Sequence, residues 1–247
     1  MPESNRSLER GLAILDCFKP GVAFLTHGEL VQRTALPKTT VTRLTTALRR
    51  SGYLTYDPGV RGFRLGVPVL SLARAHQVGC EVTQRLSPAI RSVAARTSSL
   101  VGVGTAHGSD IVYLDQVNFD PKRRLRQVGT GQRLPILQSA IGRAYLGSLP
   151  PAELACWLRY LQQADPQWSR GLEREVMRSV REVRAEGHCV VLWSEGQLAA
   201  VGAPFVAESG QHYAINIAFA PSPAGSTALP KHLRAALREL VACAQAE

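Results

Sequence analysis

The stretch "LPKTTVTRLTTALRRSGYL", residues 36–54, holds five threonines and four basic residues. Its apolar positions nevertheless fall on one side of a helix. Val41, Leu44 and Leu48 recur at i, i+3 and i+7, which marks a buried face. A rotation of about 100° per residue then turns Thr39, Thr42, Arg43, Thr46 and Arg50 outward. Pro37 suits the first turn that opens the helix. Threonine is a mediocre helix former because its branched Cβ restricts the side chain, so five of them argue for a use of that face beyond the helix itself. An α-helix fits the major groove of B-DNA, where Arg bonds guanine O6 and N7 and Thr bonds a base edge or touches a thymine methyl. Lys38 and Thr40, near the helix start, suit phosphate contacts. A threonine-rich face that simply meets solvent is the alternative.

The flanking segments complete a pattern. Upstream, "SLERGLAILDCF" (residues 7–18) places Leu8, Leu12 and Leu15 at helical spacing, with Ile14 and Phe18 widening the stripe. In "LTHGELVQRTAL" (residues 25–36), Thr26 and Glu29 form a capping-box pattern. The helix it starts is expected to run to about Arg33, with a short turn at Thr34 and Ala35. Downstream, "GYLTYDPGVRGFRLG" (residues 52–66) predicts strands over Tyr53 to Tyr56 and Phe63 to Leu65, joined by an Asp, Pro and Gly turn. Three helices followed by this hairpin read as a winged helix-turn-helix. Of Arg61 and Arg64, in or just after the turn, at least one is expected to meet phosphate or the minor groove, the alternative being a solvated turn.

Composition agrees with an acidic partner. The chain has 247 residues and a formal net charge of +10. Residues 1–80 carry 11 basic and 5 acidic side chains, so charge density is highest at the N-terminal end. Such a balance favours nucleic acid or a membrane surface as partner. No run approaches the roughly 18 apolar residues of a spanning helix, so no membrane partner is expected and the location is read as cytoplasmic. The five cysteines form no CxxC pair and read as thiols in a reducing compartment. The six histidines show no ligand spacing, so no metal site is indicated. No dinucleotide fingerprint, GxSxG elbow or other cofactor or catalytic motif appears. The "GVG" at Gly102 to Gly104 and the "GTG" at Gly129 to Gly131 read as turns and close packing.

Together "SLERGLAILDCF", "LPKTTVTRLTTALRRSGYL" and "GFRLGVPVLSLA" resemble the N-terminal winged helix-turn-helix of the IclR family of bacterial transcriptional regulators. A second match, "LPILQSAIGRAYLGSLPP" (residues 134–151), resembles the segment by which that family enters the helix beside its effector pocket. The resemblance implies an α+β protein: a DNA-binding domain over 1–66, a linker helix over 67–79 used for dimer contacts, and a GAF-like sensor over 80–247 with a mixed sheet flanked by helices. It implies a homodimer or dimer of dimers that binds double-stranded operator DNA, as repressor or activator, in response to a small carboxylate or aromatic effector. It further implies a pocket at Ser139, Ala140, Ile141 and Gly142, just before a helix containing Arg143, completed by Val201, Gly202, Ala203, Asn216 and Ala218. Asn216 falls where small hydroxyl residues are usual in the family. In "HCVVLWSEG" (residues 188–196), Val191, Leu192 and Trp193 stand near positions where the family often has acidic residues, which points to a more apolar or aromatic effector. The competing class is a small-molecule enzyme with an N-terminal regulatory module.

For the sensor, strands are expected on both sides of a turn at His107 to Asp110, in "RLRQVGTGQRLP" (residues 124–135), and as a hairpin near Glu208 to Gln211. Helices are expected in residues 150–161, 171–187 and 228–246. The run of Lys122, Arg123, Arg124 and Arg126 reads as a solvated hairpin, with a second polyanion contact as the alternative.

Overall fold

The computed structural model describes residues 5–119, 129–165, 167–193, 198–221 and 228–246. Lys122, Arg123, Arg124 and Arg126 lie outside the described residues. The chain divides into two compact units, Met1–Gly79 and Cys80–Glu247.

In the first unit α1 (Arg6–Asp16), β1 (Leu25–Thr26), α2 (His27–Thr34) and α3 (Lys38–Arg50) precede β2 (Leu54–Asp57), β3 (Gly62–Leu65) and α4 (Pro68–Gly79). The capping box forms as the sequence suggests. The Glu29 amide donates to the Thr26 hydroxyl at 3.3 Å, and the Thr26 amide donates to the Glu29 carboxylate at 2.7 Å. Ala35, left-handed at φ 53°, ends α2 and turns the chain toward Pro37, the N-cap of α3. Ile14, Leu25, Leu30, Val41, Leu44, Leu54 and Phe63 form the core of this unit.

Two sequence expectations fail here. The α1 stripe is rotated: Leu8 and Leu12 are 60% and 56% exposed, while Gly11 and Ile14 are buried. "GLAIL" holds two overlapping helical stripes, and small Gly11 belongs to the one that packs. The wing also has a third strand, because β1 pairs with β3 and gives the order β1-β3-β2. Two residues are too short a strand to carry an alternation signal.

The second unit runs α5 (Glu81–Thr97), β4 (Leu100–His107), β5 (Asp110–Asn118), β6 (Arg133–Pro135), α6 (Ala140–Ser148), α7 (Pro151–Ala164), α8 (Arg170–Glu186), β7 (Cys189–Trp193), β8 (Leu198–Val206), β9 (His212–Phe219) and α9 (Lys231–Gln245). Its six strands are ordered β6-β5-β4-β9-β8-β7. The α+β class and the helix-flanked sheet are as expected. In one respect the sheet differs: every pairing among the described strands is antiparallel, so it is not mixed. Hairpins β4–β5 and β8–β9 connect neighbours directly, and antiparallel neighbours need no crossover.

Side chains alternate between the two faces of the sheet. One face packs on α5 and α9 through Val101, Val103, Val201, Ala203, Ile215 and Ile217. The other packs on α6 and α8 through Ile111, Tyr113, Cys189 and Ala214. Gly102 and Gly104 sit inside β4, not in a turn. A Cβ on Gly102 would come within 2.6 Å of the Tyr113 ring, so the glycine admits that ring to the α6 side.

Candidate nucleic-acid interface and sensor site

On α3, Val41 and Leu44 are buried, and Lys38, Thr39, Thr42, Arg43, Thr46 and Arg50 are exposed, while Thr40 is half-buried. The helix therefore presents the face that its periodicity indicated. The threonines divide in a way that periodicity did not show. Thr45 is buried, and its hydroxyl donates to the Val41 carbonyl at 2.8 Å. Thr42 and Thr46 donate to the carbonyls of Lys38 and Thr42 at 3.0 and 2.8 Å. Three of the five hydroxyls thus bond back to the preceding turn, a common use of threonine inside a helix.

The two wing arginines differ. Arg61, left-handed at φ 48°, is exposed at the hairpin turn. Arg64 is held within the wing: its Nε donates to Asp57 at 2.9 Å, its Nη1 donates to the Ala23 carbonyl at 3.3 Å, and its guanidinium lies 5.6 Å from the centre of the Phe24 ring. The Arg64 hydrogen bond holds the Asp57 carboxyl below its ordinary range, helped by the Gly59 amide. Arg49 lies similarly over Tyr56. Arg61→Ala is therefore expected to lower the slope of log affinity against log salt by about one unit. Arg64→Ala is expected to leave that slope nearly unchanged and to loosen the wing, which titrations at several salt concentrations and hydrogen exchange would read.

In the sensor unit the expected pocket residues are all buried, and they do not form one lining. "SAIG" does not precede the helix; it is the cap and first turn of α6. The Ser139 hydroxyl accepts from the Gly142 amide at 3.1 Å and donates to the Pro135 carbonyl at 2.8 Å, so the first turn already has its cap. Ile141 is fully buried in the core under α6. A Cβ on Gly142 would fall 2.1 Å from the Ile136 carbonyl oxygen, and one on Gly202 would fall 2.3 Å from that of Ala140. These glycines serve close backbone packing. Val201 and Ala203 belong to the opposite core, under α5 and α9. Asn216 faces α6 and accepts from the Tyr113 hydroxyl at 3.1 Å, and alternation puts Ala218 on the same side.

A cleft of about 930 Å³ opens beside this arrangement, lined by α8, β7 and the residues around the start of α6. None of the nine expected pocket residues lines it, but Val191, Leu192 and Trp193 do. Arg143, 8% exposed, reaches it from α6. Its Nε donates to the Leu137 carbonyl at 2.7 Å, its Nη1 to Ser179 at 3.4 Å and its Nη2 to Glu175 at 3.2 Å. The Trp193 indole donates to the Gln138 carbonyl, and among the described residues the buried Gln138 Oε1 has no hydrogen-bond partner. Cys189 also borders the cleft, but burial pushes its thiol up to about 12, so it stays protonated. No periodicity marks Gln138 as a cleft residue, since a lone Gln in a loop has no period.

A basic helix held outward in a three-stranded winged unit, with a separate helix-flanked sheet behind it in the chain, defines a two-unit DNA-binding regulator. The description "IclR helix-turn-helix domain" matches residues 7–58, and "Bacterial transcriptional regulator IclR C-terminal" matches residues 76–246. The chain belongs to the IclR family of bacterial transcriptional regulators. It is 31% identical over 202 residues to the HTH-type transcriptional regulator TsaQ1/TsaQ2 of Comamonas testosteroni, covering 77% of this chain and 69% of that one. It is 28% identical to the Pca regulon regulatory protein of Pseudomonas putida, covering 85% and 72%. An IclR family transcriptional regulator from Brucella abortus shares its fold with a TM-score of 0.86 at 26% identity, covering 98% and 92%. An IclR homologue from Microbacterium hydrocarbonoxydans, solved in complex with 4-hydroxybenzoate, has a TM-score of 0.71 at 18% identity, covering 97% of each chain. No helix among the described residues is long and apolar enough to cross a membrane.

Proposed function

We propose that α3 reads operator DNA in the major groove and that the sensor unit changes the affinity of that contact when it binds a small aromatic carboxylate. The observation that carries the DNA reading is the outward face of α3, where Arg43 stands exposed between Thr42 and Thr46 above a buried apolar face. An arginine placed there suits a guanine edge. Arg43→Ala is expected to lose about 1–3 kcal/mol on the operator and much less on random DNA. Footprinting titrations on both duplexes test this, and equal loss on the two would make Arg43 a phosphate contact instead.

For the effector, the cleft combines a buried guanidinium, an amide oxygen without a partner among the described residues, and the apolar surface of Val191 and Trp193. Arg143 suits a carboxylate, Gln138 a hydroxyl and Trp193 an aromatic ring. The 4-hydroxybenzoate held by the Microbacterium homologue has all three features. Binding acts by differential affinity: an effector that favours one protein arrangement and DNA that favours another oppose each other through a shared equilibrium. The apolar side chains of α4 and of Val67 just before it, with Val67 76%, Leu70 71% and Leu72 56% exposed, suit contacts with a second copy in a homodimer or dimer of dimers. The protein works in the cytoplasm and does not turn over its ligand. Calorimetry with benzoate and 4-hydroxybenzoate, alongside the Trp193→Ala variant, tests the cleft; undiminished affinity in the variant would place the effector elsewhere.

A further inference from the structure

His27, the first residue of α2, reaches the recognition helix. Its Nε2 lies 3.0 Å from the Thr42 hydroxyl oxygen, which also lies 3.0 Å from the Lys38 carbonyl oxygen. A hydroxyl has one proton, and a carbonyl oxygen only accepts. The sole assignment that satisfies both contacts has the Thr42 hydroxyl donating to Lys38 and the His27 Nε2–H donating to Thr42. The hydroxyl then has its proton and one lone pair committed. Its side chain is fixed by two bonds from different helices, and Thr42 remains exposed.

We infer that His27 is a positioning residue for sequence recognition: by donating to Thr42 it makes that side chain an acceptor and a methyl group, and no longer a donor, toward the groove. This rests on the reading of α3 as the helix that enters the major groove. The consequence is a defined base preference. An acceptor hydroxyl suits the amino group of adenine or cytosine, and the Thr42 methyl suits that of thymine, whereas guanine presents only acceptors in the major groove. Without His27 the hydroxyl is free to turn its proton outward, and Thr42 tolerates an acceptor edge as well. The base pair facing Thr42 is then read less strictly, while pairs facing Arg43 and Thr46 are read as before.

The test is selection of binding sites from a randomised duplex pool by the full chain, as wild type, His27→Ala, His27→Gln and Thr42→Val, followed by titration of the selected site and its single-base variants. A mismatch typically costs about 5- to 150-fold in affinity. At one base pair, His27→Ala is expected to reduce that discrimination about tenfold or to abolish it where it is smaller. The rest of the motif and the affinity for random DNA stay within about twofold of wild type, a tolerance small against the per-base cost. Gln, whose amide still donates, restores the preference. Thr42→Val keeps the methyl but loses the part of the preference that rests on the acceptor hydroxyl, so adding His27→Ala changes nothing further. His27→Leu, which keeps bulk without a donor, repeats the measurement if the alanine variant does not fold. An unchanged motif in the donor-free variants, or an equal loss on every sequence together with a lower melting temperature, overturns the assignment and leaves His27 as a brace between α2 and α3. If the wild type selects no motif at all, the groove reading of α3 fails and takes this inference with it.

Discussion

Gly142→Ala is expected to destabilise the sensor unit by about 3 kcal/mol or more, at or beyond the upper end of ordinary overpacking. The added methyl would meet the Ile136 carbonyl oxygen at 2.1 Å and the Ile136 Cα at 2.5 Å. Both are backbone atoms, so no side-chain rotation relieves the clash; α6 must lift from the segment that precedes it. That segment is also tied to α6 by the Ser139 cap. A domain of this size has about 5–15 kcal/mol of stability in all, so a melting transition of the sensor unit at much lower temperature is the expected observation. A variant that melts like wild type but no longer responds to effector would instead mean that Gly142 faces the ligand.

Arg143→Met is expected to cost about 2–4 kcal/mol. The buried guanidinium donates to three groups in two segments, and methionine leaves the Leu137 carbonyl without its donor. The Glu175 share is small, because that carboxylate is 58% exposed and water replaces the lost partner. Arg143→Lys should fall between, since an ammonium keeps the charge but cannot reproduce the fork that serves Leu137, Ser179 and Glu175 together. Urea titrations of the three proteins measure the order, and an undiminished midpoint in the methionine variant would show that the three contacts contribute nothing net.

The first unit was largely legible from the chain because its signals are local. The capping box needs only Thr26 and Glu29, and the outward face of α3 needs only helical period. What escaped there depended on neighbours: Thr45 is buried because α3 packs over a wider arc than Val41, Leu44 and Leu48 suggested, and β1 exists only as a partner for β3. In the sensor, hairpins were legible from alternation and turns, and the helices from their charged faces. The pocket was not. Runs such as "VGA" and "SAIG" look like room for a ligand when read as small residues in a row, yet alternation sends Val201 and Ala203 to one core and turns Gly202 to the other. Small size at Gly142 and Gly202 serves the approach of backbone to backbone. The cleft is assembled from Gln138, Arg143, Val191 and Trp193, which are separated in sequence and share no period. Only the departure from acidic character at Val191 to Trp193 hinted at it.

The opposite loyalties of neighbouring residues in β7 and β8 bear on how such a sensor changes over generations. Val190 and Leu192 pack toward the α9 side of the sheet and also border the cleft, which Val191 and Trp193 meet from the other face of the strand. Ala199 and Val201 are likewise structural, and Ala200 between them, paired with Val191, is only half-buried on the other side. On the reading proposed for the cleft, a change at Val191 alters its lining while Ala199 and Val201 stay in the opposite core. On that reading, a new preference can arise along the edge strand β7 while the core residues of β8 stay as they are, so drift in what is sensed need not erode the body that does the sensing.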